Sequence, residues 1–176
     1  MADYVLEKFI DEKEIKVKSK NIAQKINDDY KDSKKLLFVG VLKGAWIFLA
    51  DIVRAIDLPL EISFIAVSSY KNNTETNGVV RLLWDIDVPL VGRDVFLVED
   101  IIDTGLTLKH LKELFTIRKP RSINLCCLLD KPSRRLVDIE ANYVGFSIPD
   151  YFVVGYGLDY AGKYRNLKDI YKVVFK

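Results

Sequence analysis

Cysteine and histidine are scarce in this chain, whose 176 residues hold two of the first and one of the second. The cysteines, Cys126 and Cys127, are neighbours inside the apolar run Ile123 to Leu129, where successive strand side chains point to opposite faces. They read as core filler, and neither a disulfide framework nor a zinc pattern is present. His110 lies beside Lys109, off the apolar stripe of its segment, and reads as solvated, so no Ser-His-Asp or Cys-His arrangement has a well-placed histidine. No apolar stretch approaches the ~20 residues that span a bilayer, and the N-terminal segment lacks the apolar h-region of a signal peptide. A soluble chain in the cytoplasm with no membrane partner is the expectation. One-sided charge is missing too: 27 basic against 25 acidic residues leave a net charge of +2, without the basic field of a nucleic-acid binder, and no nucleic-acid partner is expected. There is no repeat, low-complexity segment or Gly-, Pro- or Ser-rich linker.

What the chain does have is apolar substance. At 49% hydrophobic and 11% aromatic residues it can bury one sizeable core, so a single domain over 1–176 is expected. Ile15, Ile22, Ala23, Ile26 and Tyr30 share one helical face behind Asp11, a plausible cap. Leu36 to Leu42 reads as the first strand, Ala45 to Ile56 as a helix and Leu60 to Val67 as the next strand. The polar stretch Ser68 to Gly78 has no apolar periodicity and reads as a long loop, and with the strand Val79 to Trp84 it suggests a projecting hairpin. A helix from about Gly105 to Ile117, the strand Ile123 to Leu129 and extended pieces at Tyr143 to Ile148 and Phe152 to Val154 follow. The alternation predicts an α/β fold with a doubly wound, mostly parallel sheet and a smaller appendage.

The most informative stretch is Val95 to Leu108. Val95 to Val98 is a buried parallel strand that ends in Glu99, Asp100 and Asp103, after which Leu108, Leu111, Leu114 and Phe115 mark a helix. In open α/β sheets, ligands bind outside the carboxyl ends of the strands. Unpaired N–H groups at a helix start, with the Thr104 and Thr107 hydroxyls, suit a phosphate, and Gly105 allows close approach. Glu99 and Asp100 suit sugar hydroxyls or a hydrated divalent cation. The plainer alternative makes Asp103 and Thr104 helix caps and the acid pair a solvated strand end.

Val98-Glu99-Asp100-Ile101-Ile102-Asp103-Thr104-Gly105 resembles the signature with which type I phosphoribosyltransferases bind phosphoribosyl pyrophosphate (PRPP), and the Asp-Thr-Gly ending resembles the 6-oxopurine, or hypoxanthine-guanine, group. The resemblance runs from about Leu36 to Arg165. It implies the type I phosphoribosyltransferase fold with a small hood from the N- and C-terminal segments, and PRPP or phosphate contacts at Leu42, Lys43 and Gly44, often with a cis peptide before the lysine. Further contacts fall on Glu99, Asp100, Ile102, Asp103, Thr104, Gly105, Leu106, Thr107 and Arg165. It makes Ser69 and Tyr70 the catalytic pair of a mobile lid, although Asn72, Asn73, Glu75 and Asn77 depart from the serine-rich version. Lys131 matches the lysine that recognises the 6-oxo group. Phe152 would stack on the purine and Val153 read its edge; Ile102 and Asp159 join them in purine binding. Mg²⁺ is the implied cofactor, held by Glu99, Asp100 and Asp159. Read without the resemblance, Lys43 and Lys131 could be solvated lysines, residues 68–78 a surface loop, and Tyr151 to Tyr156 a core strand.

The implied activity is Mg²⁺-dependent transfer of 5-phosphoribose from PRPP to hypoxanthine or guanine, yielding IMP or GMP and pyrophosphate, with Asp103 as general base and Lys131 beside it in catalysis. A homodimer or homotetramer is implied. Two other readings remain at this point, a PRPP-sensing RNA-binding regulator of the same fold and a xanthine-preferring phosphoribosyltransferase.

Overall fold

Two apolar runs, Leu36 to Val41 and Val95 to Val98, are buried along their whole length, as central parallel strands covered on both faces require. The computed structural model describes residues 3–70 and 79–176. Along them run β1 (Tyr4–Ile10), α1 (Glu12–Asp29), β2 (Leu36–Leu42), α2 (Trp46–Val53), β3 (Leu60–Tyr70), β4 (Val79–Trp84), β5 (Asp94–Ile102), α3 (Leu106–Ile117), β6 (Ser122–Asp130), β7 (Tyr143–Ser147), β8 (Val153–Val154) and β9 (Ile170–Phe175). A 3-10 turn, Pro132–Arg134, follows β6.

The main sheet has the order β4-β3-β2-β5-β6-β7, parallel throughout except for the antiparallel β3–β4 pair. From β2 the chain moves outward to β3; from β5, on the other side of β2, it moves outward to β6. The strand order therefore reverses between β2 and β5, and the loops leaving those two strands flank the crevice where such sheets bind ligands.

Side-chain alternation builds two cores. Phe38, Phe96, Val98, Cys126 and Leu128 pack under α1 and α2, while Leu37, Val39, Val95, Leu97 and Cys127 pack under Leu108, Leu111 and Phe115 of α3. The adjacent cysteines thus fill opposite layers, as their spacing predicts. α1 begins with the expected Asp11 cap: its carboxylate accepts from the Lys13 N–H at 2.8 Å, and Glu14 accepts from the Asp11 N–H at 3.0 Å. No described helix is long and apolar enough to cross a membrane.

A second sheet, β1-β9-β8, is antiparallel and joins the two chain-terminal segments. Neither β1 nor β9 is expected from the sequence. The predicted core strand Tyr151 to Tyr156 shrinks to Val153–Val154, because Gly155, Tyr156 and Gly157 take positive φ values of 99°, 50° and 101° that end the ladder in turns. Two other boundaries move. β5 continues through Glu99 and Asp100 to Ile102, so the acids lie within the strand's last residues. β3 continues to Tyr70 and pairs with β4 through Tyr70↔Val79, so Ser68 to Tyr70 belong to the hairpin arm and not to a loop. Residues 71–78, the rest of the expected lid, lie outside the described residues.

Candidate active site at the β2–β5 crevice

Three sequence-distant segments meet at the crevice. The loop after β2 enters through a cis Leu42–Lys43 peptide and brings Gly44 against the end of β5. A Cβ on Gly44 would lie 1.5 Å from Asp100 Oδ2, so only a hydrogen fits between this loop and the acid. Gly157 closes on the loop from the other side; a Cβ there would lie 2.1 Å from the Gly44 carbonyl oxygen. From the same turn, Arg165 donates to the Gly157 carbonyl at 2.6 Å and pairs with Asp159 at 2.5 Å.

The acids of β5 carry the strongest electrostatic signal. Burial, and then the neighbouring Asp100, push the Glu99 carboxyl well above the usual carboxylate range. Asp100 is pushed up to about 6, burial again being the chief cause and nearby Asp159 adding to it, against hydrogen bonds from backbone N–H groups and the charge of Arg165. Desolvated carboxylates without a direct cationic partner are costly as anions, and a divalent cation is the chemistry that would relieve them. Among the described residues no three His, Cys, Asp or Glu side chains enclose an ion by themselves. The carboxylate pair Glu99–Asp100 offers the oxygen donors that Mg²⁺ takes, an ion that keeps several waters and is held by one or two carboxylates plus substrate phosphates.

At the loop between β5 and α3, Gly105 at φ +82° is the residue before α3, and no side chain caps the helix. Thr104 Oγ1 accepts from the Leu106 N–H only at 3.4 Å. Asp103 caps nothing; its Oδ1 accepts from Arg134 Nε at 3.0 Å. The helix-cap alternative therefore fails for Asp103, and the N–H groups at the start of α3 remain available to an anion. Glu99, Ile102, Asp103, Thr104, Gly105 and Thr107 help line a cavity of about 90 Å3 there. A larger one, about 410 Å3, lies behind the loop between Asp130, Arg135, Asp138 and Ile139.

On the facing side, Lys131 follows β6, is 7% exposed, and donates to Asp150 Oδ1 at 3.2 Å. Its backbone N–H donates to the Ile102 carbonyl at 2.9 Å, fixing it beside the end of β5. Arg134 Nε lies 3.6 Å from Asp150 Oδ2, so Asp103, Arg134, Asp150 and Lys131 form one ionic chain. Two residues past Asp150, the Phe152 ring is 46% exposed and braced edge-on by Tyr160 at 5.5 Å, a flat surface open to a planar ligand. Val153 beside it is buried. Ser69 and Tyr70 are placed in β3 by backbone pairing with Val80 and Val79. His110 is exposed on α3, away from the crevice residues.

Asp150, Arg134 and Arg135 escape the sequence reading. The signal available was Lys131-Pro132-Ser133-Arg134-Arg135, a cationic cluster directly after an apolar strand.

Comparison with known proteins agrees with this geometry. The chain is 51% identical to the hypoxanthine-guanine phosphoribosyltransferase of Bacillus subtilis over 168 residues, 95% of this chain and 93% of that one. A crystal structure of a hypoxanthine-guanine phosphoribosyltransferase from Bacillus anthracis, with a HEPES molecule in its active site, superposes with a TM-score of 0.91 at 47% identity, covering 98% of this chain and 99% of that one. A hypoxanthine phosphoribosyl transferase of Trypanosoma cruzi, studied for the role of its C-terminal region in oligomeric state and activity, matches at 0.91 and 39% identity over 100% and 94% of the two chains. None of these three is named an RNA-binding regulator or a xanthine-preferring enzyme. The family profile of the phosphoribosyl transferase domain spans residues 7–161, from β1 past Asp159, and so takes in the crevice residues described above except Arg165; the chain belongs to that family.

Proposed function

We propose that this chain is a purine-salvage enzyme, a hypoxanthine-guanine phosphoribosyltransferase that transfers 5-phosphoribose from PRPP to hypoxanthine or guanine. The observation that carries the reading is the meeting of Gly44, Asp100 and the Asp159–Arg165 pair at the crevice, with the Lys131–Asp150 pair and the open Phe152 ring on its other side. The single phosphoribosyltransferase domain spans 1–176, and the β1-β9-β8 sheet is its hood.

Backbone N–H groups from Thr104 to Thr107 hold the 5-phosphate; Lys43, Gly44 and Arg165 hold the pyrophosphate. Phe152 stacks on the base, Lys131 donates to the 6-oxo group, and Ile102, Val153 and Asp159 border the purine. As N9 bonds to C1 of the ribose and the C1–O bond to pyrophosphate breaks, Asp103 accepts the proton leaving N7. Lys131 then stabilises charge on the oxo group. Glu99 and Asp100 on one side of the crevice and Asp159 on the other would hold hydrated Mg²⁺, which would supply neutralising charge to the pyrophosphate. Ser69 and Tyr70 close over the centre and exclude water. Free Asp103 is required for the proton transfer, so the base entering the crevice must release it from Arg134.

A homodimer or homotetramer fits the surface. Ile62, Phe64 and Ala66 of β3 share one face with Trp84, the cross-strand partner of Ala66, and Trp46, Ile62, Phe64 and Trp84 are 48%, 47%, 40% and 68% exposed. Sedimentation of Trp84→Asp should show smaller particles than the parent chain. Cytoplasm is the proposed location.

Steady-state assays with PRPP, Mg²⁺ and each purine test the reading, with IMP and GMP as expected products. Asp103→Asn should lose ~10²-fold or more in turnover while PRPP binding is largely kept. Near-normal turnover would remove the general-base role, and no transfer to any 6-oxopurine would remove the function.

A further inference from the structure

Behind the phosphate loop, the segment from Arg135 to Ile139 packs against it. Arg135 Nη1 donates to the backbone carbonyl of Asp103 at 2.8 Å, and Nη2 is paired with the carboxylate of Asp130, the last residue of β6. The next residue continues the pattern, with the Leu136 N–H donating to the Thr104 carbonyl at 3.0 Å. Gly105 is packed against the same segment: a Cβ there would lie 2.6 Å from Ile139 Cγ2 and 3.0 Å from Arg135 Cδ.

Peptide geometry turns these contacts into a statement about the loop's other side. Across a planar trans peptide the C=O and the following N–H point in opposite directions. With the Asp103 and Thr104 carbonyls both drawn back to residues 135 and 136, the N–H groups of Thr104 and Gly105 point away from that segment. Neither donates to any other described group. Two consecutive free N–H groups aimed one way form a concavity for an anion.

We propose that Arg135 is a positioning residue for phosphoribosyl transfer: it fixes the phosphate loop at Asp103 against the strand end that carries Lys131, and so aims the loop's N–H groups at the phosphate. The role rests on the function proposed above. Arg135 and Asp130 are 16% and 17% exposed, so the clamp is shielded from solvent. Its two acceptors lie in different directions, a backbone oxygen and a carboxylate, which suits a planar guanidinium fork; lysine keeps the charge but presents a single nitrogen. Arg134 differs, being 45% exposed and holding the Asp103 side chain rather than its backbone.

The test compares the parent chain with Arg135→Lys and with the double variant Arg135→Met/Asp130→Leu, which removes both charges together and leaves neither buried alone. Calorimetric titration with PRPP and Mg²⁺ reads loop geometry without turnover, and steady-state kinetics read KM for PRPP and for hypoxanthine separately. The expected result is PRPP affinity at least ~10-fold weaker in Arg135→Lys, with KM for PRPP raised in step, KM for hypoxanthine within ~2-fold and melting temperature close to the parent's. The double variant, if it folds, should stay impaired for PRPP; if it does not fold, Arg135→Lys decides alone. Unchanged PRPP binding in a folded Arg135→Lys, or recovery of parental PRPP binding in the double variant, would overturn the proposal. A parent chain that binds PRPP and transfers nothing would remove the function while leaving the clamp to be judged by titration.

Discussion

Strand β5 starts with an acid and carries two more near its end, and the two ends have opposite electrostatics. At the start, Asp94 is 2% exposed and fully partnered: Ser33 Oγ donates at 2.5 Å, Ser122 Oγ and Arg121 Nε each at 2.8 Å, and a second Arg121 nitrogen completes the fork. Arg121 first, and then the serines against the opposing effect of burial, hold its carboxyl below the usual range. Four residues, Val95 to Val98, separate it from the Glu99–Asp100 end, where burial pushes both carboxyls up. The first end ties β5 to its neighbours and gains from ionisation. The second has no direct cationic partner among the described residues, and ionisation there costs stability.

The sharpest way to break this contrast is to neutralise the far end. Glu99→Gln/Asp100→Asn should lower kcat/KM for transfer by ~10³-fold or more, roughly 4 kcal/mol of transition-state stabilisation, while raising the melting temperature at pH 7.5 without Mg²⁺. A fall in thermal stability would show that the acids are structural. At the near end the signs reverse. Asp94→Asn should cost about 2 kcal/mol in urea unfolding, less than for a wholly enclosed pair because the Arg121 side chain is 56% exposed. Its turnover per folded molecule should stay within ~2-fold of the parent's, and a tenfold loss would merge the two ends into one functional unit.

The remaining contrast is in pH. Asp100 moves from 3.8 to about 6, so between those values the native state binds more protons than the unfolded chain. Stability therefore falls as pH rises through that window, by about 3 kcal/mol, and remains lower above it. Asp94 contributes the other way, its stabilisation being present above the usual Asp range and lost as pH falls through its lowered value. Subtracting the Asp100→Asn stability curve from the parent's, without metal, should expose the first slope; parallel curves would show that Asp100 is not desolvated.

The central strands and α1 were legible because uninterrupted apolar runs and a capping box are local signals. The Glu99–Asp100 pair was legible for a related reason, since carboxylates closing an apolar run contradict the environment the run predicts. β1 and β9 were hidden because each is half-exposed, with buried positions at irregular intervals, and they pair with each other across the length of the chain. Asp150 and Arg135 were hidden because their partners, a lysine 19 residues back and a backbone oxygen 32 residues back, have no trace in local composition. Ser69 shows the limit at a boundary: polarity marked a loop, yet ladder bonds to β4 carried the strand three residues further than its apolar part.

Cys126 and Cys127, the chain's only thiols, face opposite cores, and burial raises both pKa values so that neither is a ready nucleophile in the closed molecule. A thiol reagent can reach each only when its own layer opens. Two adjacent residues on one strand therefore act as separate clocks for the two faces of the sheet. Equal labelling rates would mean that the helical layers part in one cooperative event; a faster rate at Cys127 would mean that α3, which starts just after Gly105, lifts off while the α1–α2 layer stays packed.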